Sequence, residues 1–330
     1  MPSTAPDATP VAVGIIENAQ HQVLVAQRPD HKHQGGKWEF PGGKIHVGET
    51  ASEALARELH EELGITLCAA CPLQRVRYAY PDQSVLLDVW RVTEYSGELH
   101  GREGQPLRWV TPQELASLDL PAADLPIVRA LQLPSLYLIT DSRRYGKTGM
   151  LALIERALSA GARLLQLREP HMSADEYTDY ARTVTALAHR YGARVLLNAD
   201  PSLVATCGAD GAHLNSRRLM ALQERPLSQA FLVAASCHDI AELEQATRIG
   251  VDFSVLSPVL PTASHPHAAP LGWDGFLHLR MHSDVPVYAL GGMLPEHLHV
   301  ARAVGAQGLA MIQGLWEASS VELSVEAVLR

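Results

Sequence analysis

The sequence predicts two domains in series: an α+β unit with a mixed sheet sandwiched by helices, then a (β/α)₈ barrel. Three observations predict this. The chain has 330 residues, more than one hydrophobic core usually supports. The first 133 residues mix hairpin-like strands with two helical segments. From Leu136 onward, eight short apolar runs alternate with stretches of helical period, which is typical of a closed parallel barrel.

In the first unit, strands are predicted where β-branched and apolar residues lie between turn residues. They cover residues 11–16, 22–27, 75–80, 84–93 and 107–110. A loop rich in Gly, His and Lys, residues 31–43, leads to a helix that begins near Thr50, and a second helix covers about 124–131. These elements make a complete α+β unit.

The predicted barrel strands cover residues 136–140, 163–168, 194–198, 211–214, 231–236, 253–256, 286–290 and 308–312. Pro134 breaks the chain just before the first of them, so we place the domains at residues 1–133 and 134–330. This barrel is smaller than is typical and must have short loops.

Composition narrows the function classes. With 47% apolar and 19% charged residues the chain is a packed protein. Its net charge of −9 argues against direct binding to nucleic acid or an anionic membrane. Four Cys, including one isolated CxxC at Cys68 and Cys71, form no disulfide or zinc framework. We expect a cytoplasmic protein, because no signal peptide or membrane-spanning run is found.

The segment 43–65 carries the clearest chemical pattern. Thr50 and Glu53 form a T-x-x-E capping box that fixes where the helix begins. Leu55, Leu59 and Leu63 then share one face, and a neighbouring stripe carries three carboxylates, Glu58, Glu61 and Glu62.

Clustered carboxylates repel one another unless a cation lies between them. An all-oxygen ligand set favours Mg²⁺, with Mn²⁺ as an alternative, and both ions also bind the phosphates of a nucleotide. For an ExxEE motif alone, a solvated acidic helix face remains the competing interpretation.

The full sequence pattern favours a metal site over a solvated acidic helix face. Gly43, Glu49, Arg57-Glu58-Leu59, Glu61-Glu62 and Gly64-Ile65 match the Nudix box at every defined position. The first 130 or so residues also resemble the MutT-type 8-oxo-dGTP diphosphatases, through AVGII, EFPGGKI and GREGQP.

This resemblance implies roles for the acidic residues. The Gly42 carbonyl, Glu58, Glu61, Glu62 and the loop residue Glu103 would bind the metal, and Arg57 and Glu49 would form an ion pair that orients loop and helix. A water deprotonated with help from a carboxylate would attack phosphorus in line.

The resemblance also implies a nucleotide site made of Arg28, His33, Glu39, Phe40, Pro41, Gly42 and Asp124. Asp124 stands where MutT-type enzymes are expected to carry an Asn that reads the oxidised purine. An ionised Asp only accepts hydrogen bonds, so we expect a different preferred base unless Asp124 is protonated. The alternative is that Asp124 caps the following helix.

Residues 134–330 resemble the thiamine phosphate synthase and TenI-like thiazole tautomerase family, through LYLITD, LLQLRE, LLNAD, ASCHD, VLSPVLPT and YALGGM. The resemblance implies a site at the strand ends made of Arg168, Asn198, His238, Gly291 and Gly292. Pro170, Ala199, Arg218 and His265 stand at or near positions where a synthase would carry metal- or pyrophosphate-binding groups. These departures argue against synthase activity.

Three hypotheses follow. The first is Mg²⁺-dependent hydrolysis of 8-oxo-dGTP to the monophosphate and pyrophosphate, which would prevent its mutagenic incorporation. The second is hydrolysis of a thiamine- or pyrimidine-type pyrophosphate. The third concerns the barrel, which would be a non-catalytic module that binds a thiazole phosphate-type ligand. The alternative for the barrel is a tautomerase with His238 as proton shuttle.

Overall fold

The computed structural model describes residues 8–29, 34–262 and 269–329. The chain divides into two compact units, Met1–Gln132 and Leu133–Arg330, one residue earlier than the predicted boundary. Leu133 joins the second unit because it is buried in the barrel interior and its carbonyl accepts a hydrogen bond from Gln307 Nε2 at 2.8 Å.

The first unit combines strands with helices. Its strands are β1 (Thr9–Ile16), β2 (Val23–Gln27), β3 (Trp38–Glu39), β4 (Gly42–Lys44), β5 (Thr66–Ala79), β6 (Ser84–Ser96) and β7 (Leu107–Val110). Its α-helices are α1 (Ala51–Leu63) and α2 (Leu125–Leu131). One sheet has the order β4-β1-β6-β5, in which β1 and β6 are parallel and the other pairs antiparallel. A second, antiparallel sheet has the order β3-β2-β7.

Alternation along β1 places a helix on each face of the mixed sheet. Ala12 and Ile16 are buried in the apolar cluster that contains the α1 leucines. Val13 and Ile15 point the other way, into the cluster that contains α2 residues, because successive strand residues face opposite sides. The predicted mixed sheet between helices is confirmed.

Strand β5 differs most from its prediction. It begins at Thr66 rather than residue 75 and pairs with β6 through three register shifts, one of them at Pro72. Such irregular pairing hides the two-residue alternation on which strand prediction depends. Cys68 and Cys71 lie on this strand, and neither forms a disulfide.

The second unit is a closed barrel of parallel strands. They are β8 (Leu136–Ile139), β9 (Leu164–Leu167), β10 (Arg194–Leu197), β11 (Gly211–Leu214), β12 (Leu232–Cys237), β13 (Phe253–Leu256), β14 (Val287–Ala289) and β15 (Gly308–Met311). Its helices are α3 (Ser142–Ser159), α4 (Ala174–His189), α5 (Leu203–Cys207), α6 (Ser216–Ala221), α7 (Ile240–Ile249), α8 (Gly272–Arg280), α9 (Leu298–Ala303), α10 (Gln313–Trp316) and α11 (Val321–Leu329).

Each of the eight predicted barrel strands overlaps an observed strand, so the predicted (β/α)₈ barrel is confirmed. Its interior is filled by side chains rather than open, with Tyr137, Ile139, Phe253 and Tyr288 among the buried residues. Within the described part of the chain, no helix combines the length and apolarity that a bilayer crossing requires.

Candidate active sites

Helix α1 begins as its capping box predicts. The Thr50 hydroxyl accepts a hydrogen bond from the Glu53 amide at 3.3 Å, and the Glu53 carboxylate accepts one from the Thr50 amide at 2.8 Å. Gly64 ends the helix in the left-handed conformation, with φ of 72°. Both ends of the helix are therefore fixed, and so is the direction in which its carboxylates point.

The leucine face and the acidic stripe separate as predicted. Leu55, Leu59 and Leu63 are fully buried in one apolar cluster. On the stripe, the Glu58 side chain is 15% exposed and that of Glu61 56%. The helix thus presents the Glu61 carboxylate to solvent, whereas the Glu58 carboxylate is mostly covered by the surrounding protein.

Glu62 is the most perturbed carboxylate of the stripe. Its pKa is raised to about 7, mainly by burial and also by the negative charges of Glu39, Glu58 and Glu103, against a hydrogen bond from the Gly42 amide at 3.3 Å. The site therefore carries more negative charge than its own hydrogen bonds stabilise.

Arg57 connects the acidic loop to the acidic helix. Its guanidinium donates two hydrogen bonds to Glu49, at 2.8 and 3.0 Å, and one to the Lys44 carbonyl. It also contacts Glu58 at 2.8 Å and Glu61 at 3.4 Å. Hydrogen bonding to Arg57 is the main cause that lowers the pKa of Glu49 to about 2. Glu49 thus remains ionised and anchors the guanidinium beside the helix.

Two glycines allow the loop to approach these carboxylates. A Cβ on Gly43 would lie 2.2 Å from the carboxyl carbon of Glu58. Gly42 has φ of +146°, and a Cβ there would lie 2.1 Å from the Ala12 carbonyl oxygen. The backbone at residues 42 and 43 therefore forms a surface against which the acidic helix packs.

The chemistry of this donor set suits a hard divalent cation. Carboxylate and carbonyl oxygens are the ligands that Mg²⁺ takes, and a cation would relieve the repulsion that raises the pKa of Glu62. In the described ranges, however, no three acidic, His or Cys side chains converge as a ligand set. Arg57 bridges Glu58 and Glu61 instead, so binding a metal requires these carboxylates to shift.

One cavity of about 520 Å³ brings many of the predicted residues together. Its lining includes Glu58 and Glu62 of the helix, and Arg28, Glu39, Phe40, Gly42 and Asp124 of the predicted nucleotide site. The acidic helix and Asp124 thus line the same cavity.

Other predicted residues are placed differently. Pro41 is not among the lining residues, and its carbonyl accepts a hydrogen bond from the Gly14 amide at 2.8 Å. Glu61 and Glu103 are exposed outside the cavity. His33 lies outside the described residues.

Sequence reasoning missed Lys44 and Tyr80, which also line the cavity. Lys44 directly follows the Gly pair, which is a signal that sequence reading could have used. Tyr80 is placed by the turn that ends β5, where its amide donates to the Gln83 carbonyl, and nothing in the local sequence shows that this turn faces the site.

Asp124 forms the buried polar end of the cavity. It is 7% exposed and occupies the N-cap position of α2, as the alternative interpretation expects, but its side chain makes no capping hydrogen bond. Burial raises its pKa to about 8, and the charge of Glu39 adds to the shift while Arg28 opposes it. Asp124 is therefore protonated at neutral pH, so its carboxyl group can donate one hydrogen bond and accept others.

In the barrel, Arg168, Asn198, His238 and Gly291 line a second cavity of about 170 Å³ at the strand ends. Gly292 lines an adjoining cavity of about 540 Å³, which shares Gly291 with the first. The predicted barrel residues are thus distributed over two connected spaces.

His238 lies at the rim of the smaller cavity. Its Nδ1 is 2.9 Å from a Glu242 carboxylate oxygen and 3.1 Å from the Ser216 hydroxyl. Among the described residues that line this cavity there is no Asp or Glu. The acidic ligands that a metal-bound pyrophosphate would need are therefore missing from its wall. His265 lies outside the described residues.

Comparisons with known proteins divide the chain in the same way. Residues 12–130 match a family model described as NUDIX domain, and residues 136–315, more than half the chain, match one described as Thiamine monophosphate synthase. The 8-oxo-dGTP diphosphatase of Escherichia coli is 39% identical over 122 residues, which are 37% of this chain and 95% of that protein.

For the second unit, the putative thiamine-phosphate synthase 2 of Aquifex aeolicus is 35% identical over 182 residues, 55% of this chain and 97% of that protein. The solved structure of thiamine phosphate pyrophosphorylase from Pyrococcus furiosus matches with a TM-score of 0.52 at 23% identity. The match covers 59% of this chain and 93% of the pyrophosphorylase chain. This structural likeness supports the barrel fold.

Proposed function

Because the chain belongs to the Nudix family through residues 12–130 and to the thiamine monophosphate synthase family through residues 136–315, we propose that its first unit hydrolyses 8-oxo-dGTP. The products are the nucleoside monophosphate and pyrophosphate. This hydrolysis removes an oxidised purine nucleotide before it is incorporated into nucleic acid. One observation carries the proposal: a single cavity is lined both by the acidic helix and by the buried Asp124, whose pKa is raised to about 8 mainly by that burial.

Glu58, Glu61, Glu62, Glu103 and the Gly42 carbonyl would hold Mg²⁺, with Mn²⁺ as a substitute. When bound, the metal neutralises phosphate charge and makes water a better nucleophile. Arg57, held by Glu49, keeps the carboxylates of the helix oriented toward the loop. A carboxylate of this set takes the proton of the attacking water.

The base selectivity is assigned to Asp124. An 8-oxopurine presents an N–H donor at N7 beside carbonyl acceptors, so it is read by a group that donates and accepts at once. A neutral carboxyl group does both, as an amide does. An unoxidised purine has an acceptor at N7 and cannot donate there. Asp124 therefore serves in place of the Asn that MutT-type enzymes are expected to carry.

Hydrolysis in the presence of Mg²⁺, with the phosphorylated products separated and quantified by chromatography, tests this assignment against the alternatives. Product separation is needed because cleavage of the diphosphate in ADP-ribose or thiamine pyrophosphate releases no inorganic pyrophosphate. The panel is 8-oxo-dGTP, dGTP, ADP-ribose and thiamine pyrophosphate, each with the wild-type chain and with Glu62→Gln as the inactive control. Preference for 8-oxo-dGTP supports the proposal. Preference for thiamine pyrophosphate instead assigns the unit to a thiamine- or pyrimidine-type pyrophosphate.

For the barrel, we propose a metal-free site for a thiazole phosphate-type ligand. Backbone amides near Gly291 and Gly292 would hold the phosphate, and the acid-free wall of the smaller cavity supports metal-free binding. His238, hydrogen-bonded to Glu242, is placed to shuttle a proton in a thiazole tautomerisation. An unchanged tautomerisation rate in His238→Ala would refute the shuttle, and absence of turnover with intact binding would make the barrel a ligand-binding module.

A further inference from the structure

A chain of hydrogen bonds crosses the interior of the barrel and begins and ends in the wall of the smaller cavity. Asn198 Nδ2 donates to Gln166 Oε1 at 3.0 Å, and Gln166 Nε2 donates to the Tyr137 hydroxyl at 3.3 Å. The Tyr137 oxygen lies 3.0 Å from His213 Nδ1, and His213 Nε2 lies 2.7 Å from the Ser236 hydroxyl. Asn198, Gln166 and Ser236 line the cavity, while Tyr137 and His213 are fully buried beneath it.

The direction of this chain follows from donor counting. The Tyr137 oxygen accepts from Gln166, so its single proton is free to be donated to Nδ1 of His213. Burial, together with the charge of Arg168, lowers the pKa of His213 to about 3, so the ring is neutral and carries one proton. With Nδ1 as acceptor, that proton is on Nε2 and is donated to the Ser236 oxygen.

We propose that Tyr137 and His213 are positioning residues that fix Ser236 as a hydrogen-bond donor toward the barrel ligand. Because the Ser236 oxygen accepts from His213 and Ser236 lines the cavity, its own proton is available for donation to a ligand there. The site therefore takes a ligand with an acceptor at this point, such as an unprotonated ring nitrogen. The side-chain amide nitrogen of Asn198 donates to Gln166, so its side-chain carbonyl oxygen is left to accept a hydrogen bond from the ligand.

The aromatic packing keeps this arrangement rigid. The Tyr137 ring meets Phe253 edge-on at a centroid distance of 5.2 Å and Tyr288 at 5.8 Å. The Tyr288 hydroxyl in turn donates to the Pro134 carbonyl at 2.5 Å. Rotation of the Tyr137 hydroxyl away from His213 would leave a buried acceptor unsatisfied, which is unfavourable.

The tautomer of His213 tests the proposal without any ligand. The ¹⁵N shifts of the ring nitrogens in the full-length protein should show one neutral Nε2–H tautomer between about pH 5 and pH 8, and this signal should disappear in His213→Gln. Tyr137→Phe, which keeps the ring, should produce a mixture of tautomers, and Gln166→Met should do the same if Tyr137→Phe fails to fold. An Nδ1–H tautomer in the wild type would overturn the proposal, because Ser236 would then donate inward.

Binding completes the test, and this part rests on the proposed thiazole phosphate ligand. In calorimetric titration with a thiazole phosphate, Ser236→Ala and Tyr137→Phe should each weaken binding by roughly 2- to 10-fold, the effect of one hydrogen bond. Unchanged affinity in Tyr137→Phe, with weakened binding in Ser236→Ala, would remove Tyr137 from the assigned role. If the wild type does not bind thiazole phosphate, the proposed ligand is wrong, and the tautomer measurement still decides the direction of the chain.

Discussion

Asp124 shows how surroundings can change the chemistry of a side chain. At this position of the sequence we expect a side chain that recognises the base as an Asn would, by both donating and accepting hydrogen bonds. An ordinary Asp would be ionised and would only accept them. Burial and the nearby Glu39 carboxylate reverse that ionisation, although Arg28 opposes it. Both charged groups line the same cavity, as does Tyr80, whose hydroxyl accepts a hydrogen bond from the Ala123 amide at 3.2 Å.

The pH dependence of substrate binding should follow from this pKa. An acid whose folded pKa is raised to about 8 is neutral below that pH and ionises above it. We therefore expect KM for 8-oxo-dGTP to rise as pH increases through 8. Steady-state kinetics of Asp124→Asn, which cannot ionise, should show no such rise. An equal rise in both proteins would contradict the role of Asp124.

Gly43 should be essential for the position of Glu58. The Cβ of an alanine would lie 2.2 Å from the Glu58 carboxyl carbon, so the carboxylate must move. A displacement of about 1 Å in a catalytic group can reduce the rate roughly 100-fold, and we expect a loss of that order in kcat for Gly43→Ala. Gly149→Ala, whose Cβ would meet only an ordinary contact at 3.7 Å, is the control. Full activity of Gly43→Ala would refute the close approach.

At the scale of elements, α1 is the best predicted part of the chain. Its start, its buried leucines and its acidic stripe all follow from spacing and capping, which are local properties. Strands β3 and β4, of two and three residues, have no such local signal. Their place is set by pairing with β2 and β1, and long-range pairing is not visible in a single sequence.

The capping box should stabilise the first turn of α1. Replacing Thr50 by Ala removes the acceptor of the Glu53 amide and should cost about 1 kcal/mol. Native-state hydrogen exchange at the Glu53 amide measures this directly. Thr50→Ser, which keeps a hydroxyl, should retain protection, and if Thr50→Ala exchanged as slowly as the wild type, the cap would not stabilise the helix.

On the scale of the whole molecule, each unit contains its own candidate site. Among the described residues, those that line the cavity with the acidic helix belong to the first unit, and those that line the two barrel cavities belong to the second. The eight barrel strands could be predicted because buried parallel strands form compact apolar runs. The hydrogen-bond chain beneath the barrel site could not, because it joins side chains from four different strands and one strand end.

This organisation predicts that the two sites can be inactivated separately. Glu62→Gln should abolish pyrophosphate release and leave thiazole phosphate binding unchanged. His238→Ala should abolish tautomerisation, where it occurs, and leave pyrophosphate release intact. Parallel assays of both variants check this, and loss of both activities in either variant would show that the sites depend on each other.

The most direct test of the proposed Nudix activity is the ratio of kcat/KM for 8-oxo-dGTP to that for dGTP, measured by pyrophosphate release with Mg²⁺. The account predicts a ratio well above one, at least about 10-fold, since one hydrogen-bonding group that fits only the oxidised base contributes roughly 1.4 kcal/mol or more. It also predicts no release when Mg²⁺ is chelated. A ratio of one, or hydrolysis that continues without divalent metal, would contradict it.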